Sequence, residues 1–396
     1  MKYSLLILSL FLILACGSEE SETDTARISE VLPLSDEEKK AEEYKKQFSW
    51  GFIDKKGKLV IEANFQDVGN FQEGLCAIKN NNLWGFINKK GTIVIQAKYK
   101  TVWAFKNGFA RVLNNKNLIG FINKEGKEII KPQYDNANDF VNDFAVIEES
   151  GKFNYINKSN KKLYLENFFY ADDFRGNRAI VETEKGYGLI TRKENFQIEP
   201  EYDELRWASN GGLIAFRKKG KWGIMKMDST ILLDAIFQDI GTFENGLAYV
   251  VKDDLYGLIG IDGKYTIEPK YAQIWYAQVG NWALVTANGK YGFINSEGEV
   301  ILPIEYDQVL RFQESRAAIM KNDSWAYINQ NGQHVTGFEY SLAWSFNEGF
   351  ARAISNQGEP IFINKTGQTE LVIPFNDVRD FHDGLAKVKL HFTQKE

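Results

Sequence analysis

The sequence predicts an all-β chain: a tandem array of ten antiparallel β units of about 35 residues, each with about three short strands. Three observations carry this expectation. An aromatic–glycine–apolar motif returns every 33–35 residues from Trp50 to near the C-terminus. Within each copy, short aromatic and β-branched runs are separated by Gly-bearing turns. No stretch after residue 48 sustains helical periodicity.

The chain opens with an address. Met1-Lys2 is followed by an apolar run from Leu5 to Ala15, too short to span a bilayer but suited to a signal-peptide core. It ends Ile13-Leu14-Ala15-Cys16-Gly17, which resembles a bacterial lipoprotein signal. That resemblance implies cleavage after residue 15, lipidation of Cys16 and tethering to a membrane. The following Gly17-Ser18-Glu19-Glu20-Ser21-Glu22 resembles a signal for export to the outer face, and serves equally as a solvated tether. Residues 16–48 read as an acidic stalk, with Ser35 and Glu38 able to cap a short helix through Lys46. Of the two cysteines, lipidation consumes Cys16; Cys76 aligns with Ala110 and Ala386 and reads as a small buried side chain.

Residues 49–396 hold the array. The clearest copies read Trp50-Gly51-Phe52-Ile53-Asp54 and Trp84-Gly85-Phe86-Ile87-Asn88; degenerate ones start at Ile119, Asn154, Tyr187, Trp222, Tyr256, Tyr291, Trp325 and Pro360. Each begins a hairpin. In the second copy Lys89-Lys90-Gly91 joins the first run to Thr92-Ile93-Val94-Ile95, and the glycine position, filled by Asn160 in one copy, calls for positive φ. The glycine after the aromatic leaves room for close approach by a neighbour. The second half of the copy ends Gly108-Phe109-Ala110-Arg111-Val112, an alternation that suits a strand with one wet face. A hairpin apolar on both faces must stack on neighbours to be stable.

The aromatic-Gly-Phe-Ile-(Asn/Asp)-Lys-x-Gly core, with its later Tyr-Asp-x-Val-x-x-Phe-x-x-Gly-x-Ala-x-Val stretch, resembles the WG, or KWG-type, repeat of bacterial proteins. The resemblance implies fold and little about role. Copies at 119, 154 and 360 lack the aromatic, and the copy at 325 has Ala326 for Gly, so these four are expected to be distorted or solvent-edge units. An open curved or superhelical array accommodates any number of copies and is favoured; a propeller-like ring is the alternative, although propellers usually have four to eight blades.

No nucleophile elbow, phosphate loop or dinucleotide fingerprint occurs, and His334, His382 and His391 lack metal-ligand spacing. Asp67, Asp135, Asp203, Asp239, Asp307 and Asp377 recur at one place in the repeat, as turn caps do. A net charge of −5 without a basic patch argues against nucleic acid. No enzyme, metal or cofactor is expected. Trp103, Trp207, Trp275 and Trp344 fall 19 or 20 residues after the anchor, where other copies carry Gly, Asn, Asp, Leu or Arg. They are the candidate ligand-binding residues, either a partly exposed row for gripping protein or glycan or covers for the neighbouring hairpin. The expected protein is a lipid-anchored outer-membrane lipoprotein, exposed at the cell surface or within the envelope. Its expected role is a non-catalytic binding or adhesion module, with an envelope scaffold as the alternative and a hydrolase a distant third.

Overall fold

The computed structural model describes residues 48–391 apart from 194, 210–211, 277–281, 286–287, 296 and 376. The signal segment, Cys16, the stalk and its short helix lie outside the described residues.

Six strands define the pattern: β1 (Phe48–Asp54), β2 (Leu59–Phe65), β3 (Asp67–Val68), β4 (Leu75–Asn80), β5 (Leu83–Asn88) and β6 (Ile93–Tyr99). The β5–β6 hairpin is set by its sequence. Asn88 Oδ1 accepts hydrogen bonds from the backbone N–H of Lys90 (2.9 Å) and Thr92 (3.1 Å). Gly91 takes φ 76°, and Asn160 takes φ 61° at the same place in its own copy. The motif glycine permits something further. Trp84 pairs with Tyr99 and Phe86 with Ile95, so three residues of β6 arch over Gly85 alone. A Cβ on Gly85 would stand 2.3 Å from Ile95 O. All seven copies with this glycine show the same register break and a backbone oxygen within 2.3–2.8 Å of the missing Cβ.

The sheets are out of phase with the repeats. Strands β3 and β4 come from the first repeat and join the hairpin of the second, giving the order β3-β4-β5-β6. A typical unit therefore has four strands instead of about three, the addition being a two-residue first strand separated by one residue from the end of the previous unit. We number the sheets by their hairpins, from sheet 1 (β1–β2) to sheet 10 (hairpin from Pro360). Sheets 9 and 10 run together through Tyr340–Ala343.

The array closes on itself. β1 pairs with Leu385–His391 from Phe48↔His391 to Asp54↔Leu385, and sheet 1 has the order β2, β1, Leu385–His391, Asp377–His382. The favoured open array thus gives way to the ring alternative. Closure satisfies a row of β1 backbone groups that an open array would leave as a bare edge.

Apolar contacts between successive sheets form the core. Phe86 packs with Phe105 and Ile122 of sheet 3, whereas Ile87 packs with Phe52 and Ile61 of sheet 1. Burying such a side chain contributes about 1.5–3 kcal/mol, and each hairpin supplies one to either neighbour. The Phe86–Phe105 contact is edge-on at 4.8 Å, as is Phe52–Phe71 at 5.0 Å, and the equivalent rings of Phe121–Phe140, Phe293–Phe312 and Phe362–Phe381 meet at a tilt with centres 4.7–4.9 Å apart.

Three sheets break the rule, and each lacks the glycine. In sheet 4 Phe153 bridges to Phe168 and Asn157 caps the turn, so the anchor is Phe153 and the copy placed at Asn154 shifts by one residue. Asn154 then occupies the glycine place, fully buried, donating to Tyr164 O, Glu166 O and Asn167 Oδ1 in place of a regular fourth strand. Sheet 9, with Ala326, pairs with its last strand only at Trp325↔Tyr340, and sheet 10, with Ile361, has Ile361↔Val372 and Phe362↔Leu371 in step. The copy at Ile119, expected to be irregular, is regular because Gly120 is present.

Candidate functional site

The four candidate tryptophans do not form one row. Trp103 and Trp344 each donate their backbone N–H across the first strand pair, to Arg111 O and Arg352 O at 3.1 Å, and Trp275 pairs with Ala283 at the equivalent place. There Arg206 fills the sixth sheet's position, opposite Ala215, and Trp207 comes one residue later. A slip of one residue in a strand moves a side chain to the other face. Accordingly Trp207 is buried, and the other three are half-buried.

Every one of these rings already has an occupant. The Arg352 guanidinium lies 4.3 Å from the Trp344 ring centre, donates from Nε to Asp380 Oδ1 (2.6 Å) and from Nη1 to Val378 O (2.8 Å). Arg111 repeats this over Trp103 at 4.6 Å, with Asp139 Oδ1 and Ala137 O as acceptors at 2.7 Å. Both arginines thereby staple one sheet to the next through charge-assisted bonds. Arg352 is a buried residue, so the alternation expected to present a wet face here presents a packed one. Trp207 donates Nε1–H to Asp172 (2.8 Å) in the preceding sheet, and Trp275 packs edge-on against Tyr291 at 5.7 Å.

The recurring aspartates cap backbone at four of six places. Asp135, Asp203 and Asp307 accept from Ser150, Gly220 and Asn322 N–H, and Asp67 from Val68 N–H. Asp239 instead holds Arg206 and Tyr249 Oη–H, and Asp377 holds Arg379. Cys76 is buried with its thiol against Gly69 O; burial pushes it up to about 12, against a smaller opposing pull from Lys387.

A second set of carboxylates ties neighbouring turns together. Glu73 accepts from Asn107 N–H (2.7 Å) and Gly108 N–H (3.1 Å) of the next sheet and pairs with Lys124 at 3.0 Å. Glu314 does the same with Gly349 N–H and Lys365 at 3.0 Å, and Glu348 with Gly384 N–H (2.9 Å) and Lys55 (3.2 Å). Asp383 takes Gly74 N–H and Lys89. These four join sheets 9, 10, 1, 2 and 3, the arc that contains the closure.

The surface that sequence reading missed lies where the irregular fourth sheet leads into the fifth. Among the described residues, Phe169 and Tyr170 are the only exposed aromatic side chains, 44% and 42% accessible, and Leu165 is 98% accessible. Lys152 covers the Phe169 ring. Tyr170 packs on Tyr187 with ring centres 5.9 Å apart. The available signal was Leu163-Tyr164-Leu165-Glu166-Asn167-Phe168-Phe169-Tyr170, where the repeat loses both its glycine and its Tyr-Asp step.

Sequence comparison matches the WG containing repeat at residues 50–84, 84–117, 119–153, 187–222, 222–256, 256–291, 291–325, 325–357 and 362–391. The chain belongs to the WG containing repeat family. The stretch without a match, 154–186, holds most of the irregular part of sheet 4 and the exposed aromatics. No match is found among curated proteins. Similar solved structures include a eukaryotic initiation factor (11% identity, 84% of this chain and 97% of that one, TM-score 0.45). Others are BamB from Moraxella catarrhalis (12%, 84% and 98%, 0.35) and Hsv2p from Kluyveromyces lactis (12%, 59% and 94%, 0.34). None reaches a TM-score of 0.5, so the fold of the WG repeats rests on their own strand pairing.

Proposed function

We propose that this WG-repeat protein is a non-catalytic binding module of the cell envelope, tethered by acyl chains at Cys16, that engages a protein partner through the Leu165–Tyr170 surface. The observation that carries this reading is the exposure of Phe169 and Tyr170 in a chain whose other described aromatic side chains are buried or half-buried. Exposed aromatics beside an exposed leucine are the chemistry of protein contact. A glycan platform at Trp103, Trp207 or Trp344 is less favoured, because each ring is buried or half-buried in addition to carrying a stacked arginine. The inter-sheet staples favour a second reading, an envelope scaffold whose chemistry is spent inward.

A photo-crosslinking amino acid placed at Leu165 in cells separates the two. The binding reading expects adducts at position 165 and none at Ile261, which is also exposed but distant in sequence. Equal yields, or none at either site, would leave the scaffold. For the tether, Cys16→Ala is expected to move the protein from the membrane to the soluble fraction; retention with unchanged mass would rule out lipidation.

A further inference from the structure

A cross-strand row recurs next to the motif aromatic. In sheet 2 it reads Asp67–Lys79–Trp84, in sheet 1 Asp377–Lys389–Trp50, and in sheet 6 Glu204–Arg217–Trp222. An acid on the first strand thus faces a cation on the second, which faces the anchor ring. Cations also cover the rings in two of these sheets: Lys387 and Lys389 lie 5.7 and 5.9 Å from the Trp50 centre, and Arg206 lies 3.5 Å from that of Trp222. In sheet 6 the acid and cation of the row also pair directly, Arg217 with Glu204 at 3.8 Å.

Sheet 5 inverts it. Tyr170 stands where the acid would be and Glu182 where the cation would be, directly opposite both Tyr170 and Tyr187. Glu182 thus shares one cross-strand row with both tyrosines, and its carboxylate accepts a hydrogen bond from the Tyr187 hydroxyl. Among the described residues no cation pairs with Glu182 or stacks on Tyr170 or Tyr187. The surrounding groups are known: Glu204 is drawn to Arg206 (3.4 Å) and Arg217 (3.8 Å), Lys152 sits on Phe169, and Arg175 lies over Trp207. Asp172, Asp173 and Glu204 add negative potential on Tyr170, offset in part by Arg175. Residues 163–207 carry ten carboxylates against six cations.

We infer that the Tyr170–Glu182–Tyr187 row binds a Lys or Arg side chain from a basic segment of a protein partner, supplying from outside the cation that sheets 1, 2 and 6 carry within. This rests on the reading that the surface binds a protein, and it names the chemistry. A cation between a carboxylate and an aromatic face gains from both, and the surplus negative charge steers it there.

The repeat itself offers substitutions compatible with the fold. Gln273 and Gln308 occupy the Tyr170 position in other sheets, and Val251 and Val285 occupy that of Glu182. The full-length protein in detergent is titrated with fluorescein-labelled ten-residue peptides of alternating Ala with Lys, Arg, Gln or Glu, read by anisotropy. The Lys and Arg peptides are expected to bind, more weakly as salt rises, and the Gln and Glu peptides not. Tyr170→Gln and Glu182→Val are each expected to weaken binding by about tenfold while both variants still melt cooperatively. Equal binding of acidic and basic peptides, absence of basic-peptide binding, or full affinity in both variants overturns the inference. Crosslinking at Leu165 that persists in Glu182→Val would leave the broader binding reading standing alone.

Discussion

Replacing Gly85 with Ala tests the central geometric claim, because two lines of reasoning give opposite signs. Judged as a strand residue, glycine is a weak choice, and alanine is expected to gain about 0.4–1 kcal/mol by restricting the unfolded chain. The structure forecasts a loss. The added methyl would meet Ile95 O at 2.3 Å, Ala97 N at 2.6 Å and Gln96 C at 2.7 Å, all backbone atoms of the arch in β6. Ordinary contact begins near 3.4 Å, so the arch must move by about an ångström. Overpacking of this kind costs about 1–3 kcal/mol, and loss of a ladder bond adds about 1 kcal/mol. We expect about 3 kcal/mol of destabilisation, read as a lower urea midpoint in tryptophan fluorescence and faster amide exchange in β5 and β6. Gly337→Ala is the control: nothing lies within 4 Å of its added Cβ, so it is expected to be neutral or stabilising. A Gly85→Ala protein as stable as the parent would refute the close-approach explanation of the motif glycine.

Three other outcomes follow from the inter-sheet chemistry. Arg352→Lys should cost about 2–3 kcal/mol in urea unfolding, since an ammonium cannot reproduce the fork to Asp380 and Val378 O; a neutral result would discount the staple. In a Cys16→Ser protein, Cys76 should react with a thiol reagent at pH 8 only as fast as the molecule unfolds, because burial pushes its thiol up to about 12; rapid labelling would contradict its burial. Burial raises Glu73, but its bonds to Lys124, Gly108 N–H and Asn107 N–H outweigh that and hold it below the usual value, and Glu314 is held down in the same way. The folded value lies below the unfolded one, so the stabilisation is present above the unfolded value near 4.5 and is lost as pH falls through the folded one. Glu73→Gln should flatten the acid limb of the melting-temperature curve, and an unchanged limb would remove the latch from the account.

The hairpin was legible because its determinants are local. Gly91, Asn88 and Gly85 each answer a backbone demand within a dozen residues, and the tolerance for Asn160 marks a left-handed position. The phase shift between repeat and sheet was not legible, since a periodic sequence has no preferred cutting point. Closure was hidden for a similar reason: Leu385-Ala386-Lys387-Val388 resembles every other second strand, and nothing local says its partner is β1. The staples were within reach. Trp–Arg eight residues apart occurs at Trp103–Arg111 and Trp344–Arg352, and each is followed by an Asp-Phe step, Asp139-Phe140 and Asp380-Phe381, that a search across copies could have joined. The exposed aromatics were overlooked because attention to what recurs passes over a segment that departs from the repeat.

The pairing of β1 with Leu385–His391 also imposes an order in time. β1 leaves the ribosome first, yet its partner is made about 330 residues later, roughly 20–70 s at ordinary synthesis rates. Throughout that interval the first hairpin offers a bare strand edge to every identical-looking second strand that emerges. The copy next in line is always the nearest competitor, and pairing with it would lock in a smaller circle. A nascent chain of this kind profits from being kept extended until its end arrives, as secretion in an unfolded state would do.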